Sequence, residues 1–341
     1  MPNWLERMCQ KAINHTIAFW MIVALAALLV VGVNYRYTRN FISGPFPISD
    51  EELDKVSDAD QAEHFYIRVS GSKTIDTGIQ QITTTTRNGV KGSERVSAGY
   101  FAVLVGDRFL VVKSPSPPNG TVEGELKPMP DQLRTEISSS FGADKVQQYI
   151  RPLLLDTEGF RYPGYWAIAV GLVLLFCLFR YLRPALTLRK DISSNPVIRR
   201  VRGWGDPVTL AVEIEEEYRK HVEYKSQGQR VTERYVIEDR FFHFNVLRFH
   251  DLVWAYKKVT QHSVNLIPTG KSYSAAMVFY GGSATVSGSS TQIDELLQRT
   301  ALKSPWAIFG FSSELKDLFN KKTEDFCTAV EIRRRELQQK A

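Results

Sequence analysis

The sequence predicts an α+β membrane protein: two transmembrane helices, a small β-barrel-like domain on one side of the bilayer, and a β-sandwich with flanking helices on the other. Three observations carry this expectation. Two charge-free runs, IAFWMIVALAALLVVGV (17–33) and GYWAIAVGLVLLFCLF (164–179), interrupt a chain in which 23% of residues are charged. Short segments of period-two hydrophobicity, bounded by Gly, Pro, Asn and Asp, fill much of the remainder. A cluster of Lys and Arg follows the second run at once.

At a rise of about 1.5 Å per residue each run covers roughly 25 Å, and flanking aromatics extend both toward the ~30 Å hydrocarbon core. Trp20, Tyr35, Tyr162, Tyr165, Trp166 and Tyr181 lie within or beside the runs, where amphipathic rings favour the headgroup region. A cleaved secretory signal competes for the first run, since Arg7 and Lys11 precede it. The run is longer than a usual signal core, and no small-x-small cleavage pattern follows. The chain then divides into a lead-in (1–16), a first span (17–35), a β-rich domain (36–162) and a second span (163–182). A basic juxtamembrane and helical linker (183–226) and a β domain with C-terminal helices (227–341) complete it.

Charge beside the second run sets the orientation. Arg151 and Arg161 precede it, whereas Arg180, Arg183, Arg189, Lys190, Arg199, Arg200 and Arg202 follow. Cations stay on the cytoplasmic side, so both termini are expected there and residues 36–162 outside the cell (inner) membrane. Residues 34–163 hold 15 Lys/Arg against 17 Asp/Glu, which concentrates the net +6 of the chain elsewhere. That excess lies beside a membrane helix, so it implies an anionic lipid surface and not nucleic acid. The seven cations admit two readings: an orienting signal alone, or also a docking surface for lipid headgroups, each contributing about 1 kcal/mol. Cys9, Cys177 and Cys327 leave the segment between the spans without cysteine, so no disulfide framework is expected there.

Between the spans, GPFPISDEELDKVSDAD reads as a linker with one helical turn. Strand signals begin at HFYIRVSG (64–71) and continue through TIDTGIQQITTTT, GYFAVLVGDRFLVVKSP and TVEGELKPM. Gly106-Asp107 marks the clearest hairpin. DQLRTEISSSFGADKVQQYI reads as a broken helix returning the chain to the membrane. The short strands suggest a small, strongly bent sheet or a barrel, in an order similar to an oligonucleotide/oligosaccharide-binding barrel.

After the second span, Val197, Val201 and Trp204 lie at helical spacing before Gly205. Asp206 caps a second helix with Pro207 at its first position and Val208, Val212 and Ile214 as its apolar stripe. RVTERYVIED, RFFHFNV, DLVWAYKKV, SYSAAMVFY and SATVSG read as strands. Phe242, Phe244 and Val246 share one face, with His243 opposite, and Leu252, Trp254 and Tyr256 share another. Thr291-x-x-Asp294 opens a helix, and a longer one starts near Ser312 carrying Leu315, Leu318, Phe319, Phe326 and Val330.

This run of antiparallel strands closed by a helix resembles the pleckstrin-homology-like sandwich. More broadly, NPVIRRVRGWGDPVTLAVEIEEE and DLVWAYKKVTQHSVNLIPTGKSY make the chain similar to a family of bacterial two-span membrane proteins of uncharacterised function. That family pattern carries a His before the proline, where this chain has Asn195. The resemblance implies an architecture and a membrane location, with no assigned chemistry.

Catalytic motifs fail on specific residues. NLIPTGKS (265–272) ends like a phosphate-binding loop, but Asn265 stands where a Gly is needed and a strand follows where a helix must start; it reads as a hairpin turn. His243, His250 and His262 have no Cys or carboxylate at metal spacing, so no metal is expected, and no cofactor is implied. GFSSE lacks the second Gly of a nucleophile elbow. Trp254, Tyr256, Lys257 and Lys258 form an aromatic–basic patch that is either core or, on an edge, a peptide-binding strand. Ala167 and Gly171 form a small-xxx-small pair that would admit a partner helix. The expectation is a non-catalytic anchor, scaffold or sensor with a protein partner or a second copy of itself. The alternative is a membrane-bound hydrolase or transferase using residues such as Asp107, Glu123 and Glu125.

Overall fold

A computed structural model describes residues 2–56, 58–87, 90–264 and 267–340. It forms two units, a middle unit of Val23–Cys177 and a C-terminal unit of Met1–Ile22 with Leu178–Ala341. Helix α1 (Trp4–Val33) runs unbroken through both the expected lead-in and the expected first span. A second continuous helical run covers Tyr162–Lys190. Both are long and apolar enough to cross a membrane, and only 6% and 0% of their apolar windows are buried, which separates them from the core helix of a soluble fold.

In the middle unit α2 (Tyr35–Ser43), β1 (Phe46–Pro47) and α3 (Asp50–Asp54) lead into β2 (Tyr66–Ser70). The hairpin strands β3 (Lys73–Arg87) and β4 (Val90–Val105) precede β5 (Arg108–Ser114) and β6 (Thr121–Pro128). Then come α4 (Asp131–Phe141), α5 (Ala143–Tyr149), β7 (Ile150–Asp156) and α6 (Tyr162–Cys177). The strands make one sheet in the order β1-β2-β6-β7-β5-β4-β3. Edge strands β1 and β3 do not pair with each other among the described residues, so of the two expected forms this is an open sheet and not a closed barrel.

The Gly106-Asp107 turn joins β4 to β5 as expected, with Gly106 at φ +61°, and Gly142 at φ +88° breaks α4 from α5. Strand β7 (IRPLLLD) was not anticipated. It sits between β6 and β5, antiparallel to the first and parallel to the second, with a register shift opposite Pro152 that accommodates the missing N–H. Leu110, Val112, Leu153 and Leu155 face one core; Val111 and Leu154 face the other beneath α4 and α5. Burial on both faces turns β5 and β7 into continuous apolar runs. The expected linker also belongs to this core: Ser49 and Glu52 form a capping box on α3 and Leu53 is fully buried.

The C-terminal unit continues with α7 (Arg183–Lys190), α8 (Pro196–Arg202) and α9 (Pro207–Lys220). Four short strands follow: β8 (Val222–Ser226), β9 (Gln229–Thr232), β10 (Tyr235–Arg240) and β11 (His243–Arg248). Next are β12 (Leu252–Val264), β13 (Ile267–Phe279), β14 (Gly282–Gly288), α10 (Ser290–Lys303), β15 (Ile308–Phe309), α11 (Ser313–Lys321) and α12 (Thr323–Lys340). The sheets are β11-β10-β9-β8 and β14-β13-β12-β15. Val231, Val236 and Leu247 from the first meet Ala275, Met277 and Val286 from the second, with Ile293 and Leu296 of α10 closing the layer.

The outer face of the first sheet, through Tyr235, Ile237, Phe244 and Val246, packs on α1, α8 and α9. Residues 183–226 are therefore more than a linker, since Val197, Ile198, Val201, Ala211 and Ile214 are core. Val197 and Val201 pack as expected, but Val208 and Val212 lie exposed on the far side of α9. The docked face includes Glu217, whose buried carboxylate accepts from Thr232 Oγ1 (2.5 Å) and Arg234 N (3.1 Å), an anchor that hydropathy scores as polar.

A bulge between Leu252 and Trp254 separates the residues expected on one side of β12: Leu252 enters the core between the sheets, while Trp254 joins Phe326 and Val330 on the outer face. Helix α10 is capped two residues earlier than expected, by Ser289 with Gln292. The last helix is broken at Lys322. The link between β12 and β13 includes Asn265 and Leu266, outside the described residues, so the expected turn is described only from Ile267 onward.

Candidate functional site

Where α1 and the second helical run enter the C-terminal unit, their side chains interlock. Ile13 and Ile17 pack on Ala185, and Trp20 stacks on Tyr181 at 5.6 Å and 4°. Below this contact, α1, α7, α8 and the β10–β11 hairpin surround a recess of about 350 Å³ lined by Thr16, Tyr181, Asn195, Arg200 and His243. Asn195 caps α8 by accepting from Val197 N at 2.9 Å, with Pro196 at the first helical position. Asn195 is thus a helix cap.

Arg200 is spent internally. Its Nη1 donates to Asn245 Oδ1 (2.8 Å) and Val246 O (3.1 Å), and its Nη2 to Gly281 O (2.7 Å), tying α8 to both sheets. Burial lowers its pKa, opposed by Asp251. Asn245 Nδ2 in turn donates to Glu238 Oε2 (3.2 Å), and Gln229 Nε2 to Glu238 Oε1 (2.7 Å). Burial alone would raise the Glu238 carboxyl, but hydrogen bonds from His243, Gln229 and Asn245 hold it below the ordinary range.

The other expected lipid residues lie on the surface. Arg180 sits over the Tyr181 ring (5.6 Å) and Arg183 over Phe179 (5.0 Å); Arg189, Lys190, Arg199 and Arg202 are exposed. The patch on β12 is not brought together. Trp254 is buried, with Nε1 donating to Gly310 O (2.8 Å), and Tyr256 packs on it at 4.5 Å. Lys257 turns to the other face to reach Asp294 (2.7 Å), while Lys258 is exposed. Strand β15 pairs with β12 only at Trp254 and Ala255, covering the edge there. Phe242, expected in the core, is exposed because the β10–β11 turn takes it out of strand parity before β11 begins.

In the middle unit, Ala167 is exposed and Gly171 faces open space, so neither packs within the chain. The tight helix contact is instead at Gly164, against the Phe41 ring. Asp107, Glu123 and Glu125 do not converge. Glu125 lies opposite Asp156, while Arg108 beside Asp107 reaches Ile150, six residues back along β7 and roughly 20 Å away. Glu123 pairs with Arg68 (2.7 Å) and Glu125 with Lys127 (2.8 Å). Arg151, 2% exposed, is held by Asp54 (2.7 Å) and the Val105 and Arg108 carbonyls, a bolt for the sheet end.

A family model described as Domain of unknown function (DUF6709) matches residues 206–319. The match starts at the Asp206 cap of α9, takes in both four-stranded sheets and α10, and ends inside α11. No curated protein and no solved structure matches the chain.

Proposed function

We propose that the protein is a two-pass anchor or scaffold of the inner membrane, coupling an extracytoplasmic β domain to a cytoplasmic module of the pleckstrin-homology-like kind that binds a protein partner. The observation that carries this reading is α1. Its first half, through Trp4, Leu5, Cys9 and Ala12, is core of the C-terminal unit; its second half exposes Leu25, Leu28, Leu29 and Val30. A helix whose first half is core of a folded unit and whose second half is an exposed apolar surface suits an anchor or sensor more than a tethered enzyme. Two four-stranded sheets, antiparallel except for the short β15, closed by α10 support the sandwich resemblance. Surface Arg189, Lys190, Arg199 and Arg202 add attraction to an anionic leaflet.

Reporter fusions test the topology. A reporter active only outside the cytoplasm should work when inserted at Gly120 and fail at the C-terminus; the reverse pattern refutes the reading. Crosslinking in native membranes followed by co-purification then identifies the partner.

A further inference from the structure

The turn between β10 and β11 presents Phe241 and Phe242, 64% and 48% exposed, edge-to-face with each other at 4.8 Å. Two adjacent bare phenylalanines at a hairpin tip are a poor solution in water. They are held in place by α1. His15 stacks on Phe241 at 4.1 Å and its Nδ1–H donates to the Phe241 carbonyl at 2.8 Å, and Phe242 meets Phe19 at 5.2 Å. Phe19 belongs to the charge-free run that starts at residue 17 and is followed by the Trp20–Tyr181 stack. A ring touching Phe19 therefore lies at the depth where α1 leaves water, beside an aromatic pair of the type that marks a membrane interface. Next to the tip is a recess of about 210 Å³ lined by Met8, Lys11, His15, Asp239 and Arg240. Asp239 accepts from Tyr218 Oη (2.6 Å) and Arg240 Nη2 lies 3.7 Å from Glu238 Oε1, while the Lys11 and Arg240 side chains are both exposed at the opening.

We infer that the β10–β11 tip is a third membrane contact of this chain. Phe241 and Phe242 enter the bilayer beside α1, and Lys11 and Arg240 hold the phosphate of an anionic phospholipid in the recess beneath them. The inference rests on the two-span reading. Lipid is the occupant because the phenylalanine pair is continuous with the exposed apolar surface of α1 and two exposed cations, Lys11 and Arg240, stand beside it with Asp239, itself held by Tyr218. The contact adds a third attachment of the C-terminal unit to the bilayer.

The test uses the full chain in nanodiscs of phosphatidylcholine with or without phosphatidylglycerol. Cys9, Cys177 and Cys327 are replaced by Ala, and an environment-sensitive fluorophore is placed on Phe242→Cys or, as a reference, Leu28→Cys. Quenching of both labels by nitroxide lipids is the expected result. Quenching at Leu28 without quenching at 242 overturns the tip contact and leaves the two spans standing; quenching at neither overturns the spans and the tip together. A label at 242 shielded from both lipid and aqueous quenchers indicates a protein occupant and overturns the inference. For the headgroup, K11Q and R240Q should each lower retained phosphatidylglycerol about fivefold, K11Q at unchanged melting temperature. Unchanged retention, or equal displacement by inorganic phosphate, overturns that part.

Discussion

Arg199, Arg200 and Arg202 are interchangeable in the sequence and should behave differently. Replacing Arg200 by Gln removes a donor set that satisfies Asn245 Oδ1, Val246 O and Gly281 O. The Gly281 carbonyl is near the surface and can rehydrate. The other two acceptors lie inside, and a shorter neutral side chain reaches at most one of them. Losing one to two charge-assisted bonds and stranding a buried acceptor costs about 3 kcal/mol. For a unit of this size that is roughly 6–12 °C in melting temperature. Arg199→Gln and Arg202→Gln touch exposed side chains, so each should shift melting by less than ~2 °C while lowering the anionic lipid retained by the full chain about fivefold. Scanning fluorimetry of the full chain in detergent, with the retained phosphatidylglycerol measured after nanodisc exchange, separates the two effects. If R200Q melts with R199Q, or loses retained anionic lipid at unchanged stability, the assignment of Arg200 to the fold is wrong.

Two further outcomes follow from the C-terminal unit. Leu5 is 1% exposed in the core shared with α8, α9 and the first sheet, so Leu5→Ala should cost about 3 kcal/mol, read as a fall in melting temperature; an unchanged melt would mean the lead-in is a dispensable tail. Glu238 has a depressed folded pKa, so its stabilisation is full above the ordinary carboxylate range and disappears as pH falls through the folded value. Melting temperature should hold from pH 7 to about 5 and drop below about 4, and Glu238→Gln should flatten that drop; an equal acid limb in the variant would assign it to other carboxylates.

Much of the local structure is legible from residue order. The turn at Gly106-Asp107, the break at Gly142, the cap at Asp206 and the stop between β13 and β14 at Gly281-Gly282 all depend on backbone preferences of the residues concerned. Strand β7 escaped because Pro152 argues against a central strand, and only its neighbours supply the bulge that tolerates it. Val208 and Val212 of α9 turn outward for a related reason: they have the right spacing, but Glu217 finds partners on the other face.

By itself the sequence determined two helices of membrane length, the strand-rich segments around them and the side of the second helix on which positive charge collects. Those properties belong to single stretches of chain, set by periodicity, length and the solvation of charge. Tertiary structure decided that the lead-in is core, that Arg200 is a bolt among surface arginines, that Trp254 faces away from Leu252, and that Phe241 and Phe242 stand beside Phe19. Each depends on which distant residue arrives opposite, and a hydrogen-bond acceptor or a neighbouring ring more than 200 positions away leaves no mark on local periodicity.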